Sequence, residues 1–298
     1  MVKKLWEARP AIKKDSNLYK YEKFISNKFN KKFNNNYKNI LKWSIKNSDI
    51  FWNTIWDFCN VKGLKGEKKI KKSKTFYKNI FFPNSKLNFT ENLLSKDDHS
   101  KAITFISENG YREQRSWKNL KNNVEKLNFF LKKIKIKEKD RVAAYMPNIA
   151  ETVEAFLATL SLGAIWSSCS PDFGINGVIE RFSQIKPKVL IIGEKYFYNG
   201  KEINVLERVP QILKKINSIK YLIIVNYPGQ RYFKKNYKFK KVKTFIWKDI
   251  KALDSKKLFY KKFDFDQELA ILYSSGTTGK PKCICHRSGG VLLQHLKE

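Results

Sequence analysis

Apolar positions follow two different periods between residues 102 and 225, and their alternation predicts a succession of strands and helices. Compact apolar runs predict strands, whereas apolar residues that recur every three or four positions predict one face of a helix. The predicted strands cover 102–107, 111–116, 141–146, 164–166, 189–192 and 221–225, and the predicted helices cover 117–131, 175–185 and 203–216, with a further helix between Asn148 and Gly163. Successive strand–helix units predict an α/β fold with a mainly parallel sheet flanked by helices.

The segment between Asn148 and Gly163 carries the clearest helical pattern. Asn148 is expected to cap the helix, with Glu151 three residues later completing a capping pattern. Apolar residues at 149, 153, 156, 157 and 160 form one stripe, and Gly163 is expected to end the helix. Residues 229–262 are basic and weakly periodic, which predicts a surface excursion.

The first 80 residues are rich in lysine and asparagine but also in aromatic residues, a composition that argues against disorder. Ser48 or Asp49 is expected to cap a helix, and residues 62–74 read as a charged loop. An aromatic segment at 81–94 leads into a short helix. We therefore predict a helical and aromatic segment over 1–95, followed by the α/β domain over 96–298.

The charge balance suggests polyanions, but the kind of basic residue argues against specific nucleic-acid binding. The formal net charge is +34, which would attract nucleic acid or an anionic membrane. Only eight of the 61 basic residues are Arg, the residue best suited to reading phosphates and base edges. No basic residue lies between Arg141 and Arg181, as expected for a buried core. We predict no specific nucleic-acid partner.

Cysteine usage and the apolar run lengths predict a cytoplasmic protein with no membrane partner. The four cysteines are too scattered for a disulfide framework. Cys283 and Cys285 would share one face of a strand, where small core or semi-buried residues are a better interpretation than metal ligands. The start lacks the apolar segment of a signal peptide, and no run of 18 apolar residues occurs.

The candidate chemistry lies at residues 269–290, where an apolar run that predicts a buried strand precedes a loop rich in hydroxyls and glycine. Such a loop suits a concave phosphate cradle, because glycines adopt positive φ and successive backbone N–H groups bind anions. Lys280 and Lys282 add positive charge, and Pro281 stiffens the end of the loop. A Walker A loop is excluded, because Ser274 replaces its first glycine and Pro281 its final Ser or Thr.

The string Ser-Ser-Gly-Thr-Thr-Gly-Lys-Pro-Lys at 274–282 resembles the phosphate-binding signature of the adenylate-forming superfamily of acyl-CoA synthetases. Three further stretches, 82–93, 163–174 and 181–187, resemble the acetoacetyl-CoA synthetases within that superfamily. The elements Ser-Pro-Asp-Phe-Gly and Arg-Phe-Ser-Gln-Ile are similar to the branch that activates acetoacetate rather than acetate. The resemblance implies the N-terminal part of the large domain of the adenylate-forming fold, incomplete after the phosphate loop. Residues 1–95 would be the N-terminal segment typical of acyl-CoA synthetases, and 96–298 the AMP-binding domain.

The resemblance implies an acid–thiol ligase of lipid and ketone-body metabolism. ATP and acetoacetate would give an acyl-adenylate and pyrophosphate, and the thiol of CoA would then displace AMP. Lys201 lies where relatives have a CoA-contacting segment, and Mg²⁺ is expected beside the ATP phosphates. The residues implied in holding those phosphates are Ser274, Ser275, Gly276, Thr277, Thr278, Gly279 and Lys282.

The family is longer than this chain, and the resemblance implies that the catalytic lysine and the magnesium-coordinating acid lie in the part absent here. No catalytic residue and no metal ligand is therefore assigned within residues 1–298, and we expect no ligase turnover from this chain alone. It would be a truncated sequence, or one piece of a split enzyme completed by a second polypeptide. Two alternatives stay open: a ligase for acetate or propionate, and an inactive remnant or basic protein that binds polyanions nonspecifically.

Overall fold

The structure is a computed structural model that describes residues 5–229, 237–274 and 279–298. The helices are α1 (Pro10–Asp15), α2 (Asn17–Phe29), α3 (Tyr37–Lys46), α4 (Ser48–Phe58), α5 (Phe89–Leu93), α6 (Trp117–Lys133), α7 (Ala150–Ser161), α8 (Ile175–Ile185), α9 (Val209–Lys215), α10 (Trp247–Lys251) and α11 (Ser288–Lys297). The strands are β1 (Gly63–Leu64), β2 (Ile70–Lys71), β3 (Ile80–Phe81), β4 (Lys86–Leu87), β5 (Lys101–Ile106), β6 (Arg112–Ser116), β7 (Arg141–Tyr145), β8 (Ile165–Cys169), β9 (Val189–Gly193), β10 (Lys195–Tyr198), β11 (Lys201–Asn204), β12 (Tyr221–Val225), β13 (Lys243–Ile246), β14 (Phe263–Asp264), β15 (Glu268–Ser274) and β16 (Lys282–Arg287).

Contacts between residues divide the chain into two compact units. The first unit holds the residues up to Val61, Lys65–Ser85 and Leu292–Glu298, and the second holds Lys62–Leu64 and Lys86–Val291. In the first unit, α2 and α4 pack through aromatic rings, with the ring centroids of Tyr21 and Phe58 5.3 Å apart. The hydroxyls of Tyr21 and Thr54 are hydrogen-bonded at 2.7 Å inside this core.

The second unit is built on a seven-stranded sheet in the order β13-β12-β9-β7-β8-β15-β16. Its pairs are parallel from β13 to β15, and only the last pair, β15 with β16, is antiparallel. Every residue of β9 is buried, as are four of the five residues in both β7 and β12. These continuous apolar runs are typical of parallel strands covered on both faces. The predicted mainly parallel α/β fold is confirmed.

Local sequence explains where two of the covering helices begin and end. The Ser116 side chain accepts a hydrogen bond from the backbone N–H of Asn119 at 3.1 Å and so caps α6. Helix α8 begins after Gly174 and ends before its C-cap Lys186, which has a left-handed conformation directly before Pro187. Its observed bounds, Ile175–Ile185, match the predicted helix.

Helix α7 differs from its prediction at its start and in its burial. The N-cap is Ile149, in an extended conformation, and no side chain caps the helix, so the prediction that Asn148 is the cap was wrong. Helix α7 contacts both α5 and α6, and its buried residues therefore extend beyond the predicted stripe to Glu154, which is fully buried. Gly163 has a φ of +69°, the left-handed conformation that favours glycine after a helix.

Two predicted segments were correct only in part. The helix predicted over 203–216 is divided: β11 ends at Asn204, and a 3-10 turn at Leu206–Arg208 precedes α9. Pro210 lies in the first turn of α9, where its missing N–H is tolerated, and this favours a start at Val209. Within the region predicted as a surface excursion, β13 extends the sheet and α10 follows it.

Candidate functional site

The described ends of the candidate phosphate loop lie opposite each other across a hairpin. Ser274 is the last residue of β15, Lys282 is the first residue of β16, and the two are register partners in the antiparallel pair. The loop therefore joins two hydrogen-bonded strands rather than a strand and a helix. Ser275, Gly276, Thr277 and Thr278 lie outside the described residues.

The strand before the loop is buried only in its first half. Leu269 and Ala270 are buried, whereas Leu272 is 45% exposed. The predicted strand is confirmed, but the apolar run also predicted burial along its whole length, and the second half of the strand is not buried. At its end, Ser274 is half-buried and lies within reach of solvent.

The residues after the loop present positive charge to solvent. Gly279 has a φ of +101°, and a Cβ built there would meet no atom of the described residues within 4 Å. Lys280 and Lys282 are both exposed, while Pro281 between them is buried. The buried proline fixes the backbone at this point, and the lysine side chains on either side of it are exposed to solvent.

Strand β8 supports the residue that precedes Ser274. The Ser167 hydroxyl donates to the carbonyl oxygen of Ile271 at 2.8 Å and is hydrogen-bonded to the Tyr273 hydroxyl at 3.0 Å. Burial raises the pKa of Tyr273, although its hydrogen bond with Ser167 has the opposite effect, so the phenol stays neutral at physiological pH. The end of β15 is thus held by a neutral polar contact inside the sheet.

The Ser-Pro-Asp-Phe-Gly segment at 170–174 follows β8 and is held by two side chains from distant parts of the chain. Arg208 donates from Nη1 to the carbonyl oxygen of Pro171 at 2.7 Å and to the Tyr145 hydroxyl. The Tyr145 hydroxyl lies 2.5 Å from the carbonyl oxygen of Phe173. Sequence reasoning missed Arg208, because it lies in the segment predicted as a helix and its acceptors are backbone carbonyls with no residue-specific signal.

Lys201 lies on a different sheet from Ser274 and Lys282. It begins β11, which pairs with β10 in a two-stranded antiparallel sheet, and its register partner is Tyr198. Lys201 is exposed, and the backbone N–H of the neighbouring Gly200 donates to Glu108 Oε2 at 3.4 Å. The structure thus brings Ser274 and Lys282 together and places Lys201 on a separate hairpin.

Cys283 and Cys285 lie on β16, as the alternating pattern predicted, but their expected burial was wrong. Both thiols are exposed, because β16 is the edge strand of the sheet. Within the part of the chain that the structure describes, no three His, Cys, Asp or Glu side chains are grouped so as to hold a metal ion. No helix among the described residues is long and apolar enough to cross a membrane.

Comparison with known proteins places this fold and loop in a family. Residues 94–297 match the family model described as AMP-binding enzyme. The chain belongs to the AMP-binding enzyme family. It is 38% identical over 294 residues to acetoacetyl-coenzyme A synthetase of Rhizobium meliloti (strain 1021), a match that covers 99% of this chain and 44% of the relative.

Two further matches point in the same direction. The chain is 35% identical over 272 residues to acetoacetyl-CoA synthetase of Gallus gallus, covering 88% of this chain and 40% of the relative. The structure of acetoacetyl-CoA synthetase from Streptomyces lividans superposes with a TM-score of 0.89 and 28% identity, covering 99% of this chain and 45% of the other. The chain thus spans less than half the length of the relatives it matches.

Proposed function

We propose that this chain forms the N-terminal part of an ATP-dependent acetoacetate:CoA ligase. The observation that carries the proposal is the likeness to acetoacetyl-coenzyme A synthetase of Rhizobium meliloti over 99% of this chain. Residues 1–95 form the N-terminal segment in this proposal, and 96–298 belong to the adenylation domain. The reaction joins acetoacetate to AMP with loss of pyrophosphate, and CoA then replaces AMP.

The phosphate loop is proposed to hold the ATP phosphates through Ser274, Ser275, Gly276, Thr277, Thr278, Gly279 and Lys282. The exposed Lys282 beside the hairpin end supports this role, because a fixed cation offsets the charge that develops on the transferring phosphate. Ser274 lies opposite it and contributes a hydroxyl. Mg²⁺ beside the phosphates would supply further charge neutralisation, with its protein ligand outside this chain.

Lys201 is proposed to contact CoA. Its exposure at the start of β11 supports the role, because an exposed ammonium group can bind the negatively charged 3′-phosphate or pyrophosphate of CoA. A cytoplasmic location is also proposed, and the free thiols of all four cysteines support a reducing compartment.

We propose that turnover also requires the portion of the relatives that lies outside their match to this chain. That portion would follow in the same polypeptide or be supplied by a second one. The purified 298-residue chain is expected to show no acetoacetate-dependent exchange of pyrophosphate into ATP. A measurable exchange rate above a no-enzyme control would contradict this expectation.

The phosphate-binding role is tested by fusing residues 1–298 to the C-terminal part of the Rhizobium meliloti relative and measuring ATP–pyrophosphate exchange with acetoacetate. We expect Lys282→Met to lower the rate about 100-fold, the usual effect of removing one group that stabilises developing charge. Lys280→Met is the matched control, since it removes an equally exposed neighbouring cation. Equal effects of the two variants, in fusions that both unfold cooperatively, would contradict the assignment to Lys282.

A further inference from the structure

Helix α8 contacts the chain on both sides of the phosphate loop. At the end of the loop, Gln184 donates from Nε2 to the carbonyl oxygen of Pro281 at 2.9 Å. Its Oε1 accepts from the Cys283 thiol at 3.6 Å. The two contacts bracket Lys282, the residue whose side chain would meet phosphate. A single amide thus fixes the backbone before that lysine and the side chain after it.

At the start of the loop, Arg181 of the same helix lies against Tyr273. Its guanidinium carbon is 5.7 Å from the centre of the Tyr273 ring and 4.1 Å from that of Phe173, both within cation–π range. Arg181 Nη1 also donates to the carbonyl oxygen of Gly177 at 2.8 Å, which fixes the guanidinium over its own helix. Tyr273 directly precedes Ser274.

The loop needs such support for two reasons. It is rich in Gly, Ser and Thr, and glycine loses more conformational freedom on ordering than any other residue. Among the described residues, strand β16, which follows the loop, pairs only with β15 and so forms the edge of the sheet. Stabilisation of developing charge depends on groups that are already in place when the reaction begins.

We propose that Arg181 and Gln184 are positioning residues that hold the start and the end of the phosphate loop against α8. They act through Tyr273 and Pro281 rather than by touching ATP. The consequence for catalysis rests on the proposed function of the loop, whereas the contacts themselves do not. The two can therefore be tested separately.

The test is hydrogen–deuterium exchange of the 298-residue chain without nucleotide, read on a peptide covering residues 279–285. Gln184→Met keeps the length of the side chain and removes its amide. We expect about fivefold faster exchange in this peptide, the effect of losing roughly one hydrogen bond. Gln211→Met, at an exposed position on α9, is the matched control and should leave the peptide unchanged. Unchanged exchange in Gln184→Met would overturn the proposal.

A second variant, Gln184→Glu, tests the hydrogen bond itself, because it should make the exchange rate of the same peptide depend on pH. In Gln184→Glu, a protonated carboxyl can donate to the Pro281 carbonyl, whereas an ionised one cannot. The excess exchange over the wild-type chain, measured at each pH, should therefore shrink as the pH falls through the carboxyl pKa. A pH-independent excess, or none, would overturn the role of Gln184 even if Gln184→Met did not fold.

The Arg181 contact is tested at the other end of the loop. Arg181→Lys keeps a cation near the Tyr273 ring and should largely preserve protection of a peptide that ends at Ser274, whereas Arg181→Met should lose it. Equal exchange in the two variants would remove Arg181 from the proposal. Because these measurements need no ATP, a failure of the fused enzyme to exchange pyrophosphate would count against the proposed function and not against this inference.

Discussion

Replacing Arg115 with Met should destabilise the second unit by about 3–5 kcal/mol near pH 8, because it leaves buried carboxylates without their cation. Arg115 contacts Glu113 and donates from Nη2 to Glu151 Oε1 at 2.9 Å and from Nε to Glu154 Oε1 at 3.2 Å. The side chain of Arg115 is 12% exposed and that of Glu154 is 0% exposed, so solvent screens the pair weakly. Asn123 adds a hydrogen bond to Glu154 Oε1 at 2.6 Å but no charge.

The loss of unfolding free energy in Arg115→Met should increase with pH. Burial first, and then the neighbouring charge of Glu151, raise the pKa of Glu154, while Lys251, Asn123 and Arg115 oppose the rise. A carboxyl with a raised folded-state pKa adds no penalty below its unfolded value of about 4.3 and lowers stability as the pH climbs toward the folded value. Removing Arg115 raises the folded pKa further, so the penalty should be small near pH 5 and larger near pH 8.

The assay is urea unfolding at both pH values, with the change in free energy taken from the midpoint and slope. Arg112→Met is the matched control, because Arg112 is exposed on the same strand. The double variant Arg115→Met/Glu154→Gln should recover at least half of the loss, since the buried charge is gone as well. A loss below about 1 kcal/mol at pH 8, or one that does not depend on pH, would refute the electrostatic reasoning.

Three further outcomes can be checked on the same chain. Gly163→Ala should lower the thermal midpoint by about 5–15 °C, because the new methyl would meet the Phe263 ring at 2.6 Å in a left-handed conformation; a drop of less than about 2 °C would contradict this. Asn88→Leu should cost about 2–4 kcal/mol in urea unfolding, because the buried amide donates to two backbone carbonyls; a neutral effect would be inconsistent with those bonds. Iodoacetamide at pH 8 should label the exposed Cys283 in the native chain but Cys169 only after unfolding, because burial raises the pKa of Cys169 to about 12; peptide mass spectrometry distinguishes the two.

The parallel strands and long helices of the second unit were predictable because burial on both faces leaves a direct trace in the sequence. The runs at 141–146, 189–192 and 221–225 each gave a strand close to the predicted bounds. Short strands leave no such trace. Strand β11 has no buried residue, so its sequence resembles the polar face of a helix, and the helix predicted over 203–216 was therefore started too early.

The residue types of the candidate site could be predicted from the sequence, but their arrangement in space could not. The loop at 274–282 stands out by its residue types alone. Its closure by an antiparallel hairpin depends on strand direction, which local pattern does not encode. The contact of Gln184 with Pro281 joins residues 97 positions apart, so only the fold brings them together.

We propose that the acid activated by the complete enzyme is acetoacetate. The most direct measurement compares ATP–pyrophosphate exchange by the fusion of residues 1–298 to the Rhizobium meliloti C-terminal part across acetoacetate, acetate and propionate, with the intact Rhizobium meliloti enzyme as reference. We expect acetoacetate to support the fastest exchange at equal concentration, and Lys282→Met to slow exchange with every acid. A folded fusion that exchanges faster with acetate or propionate, or with none of the three acids, would contradict the proposed function.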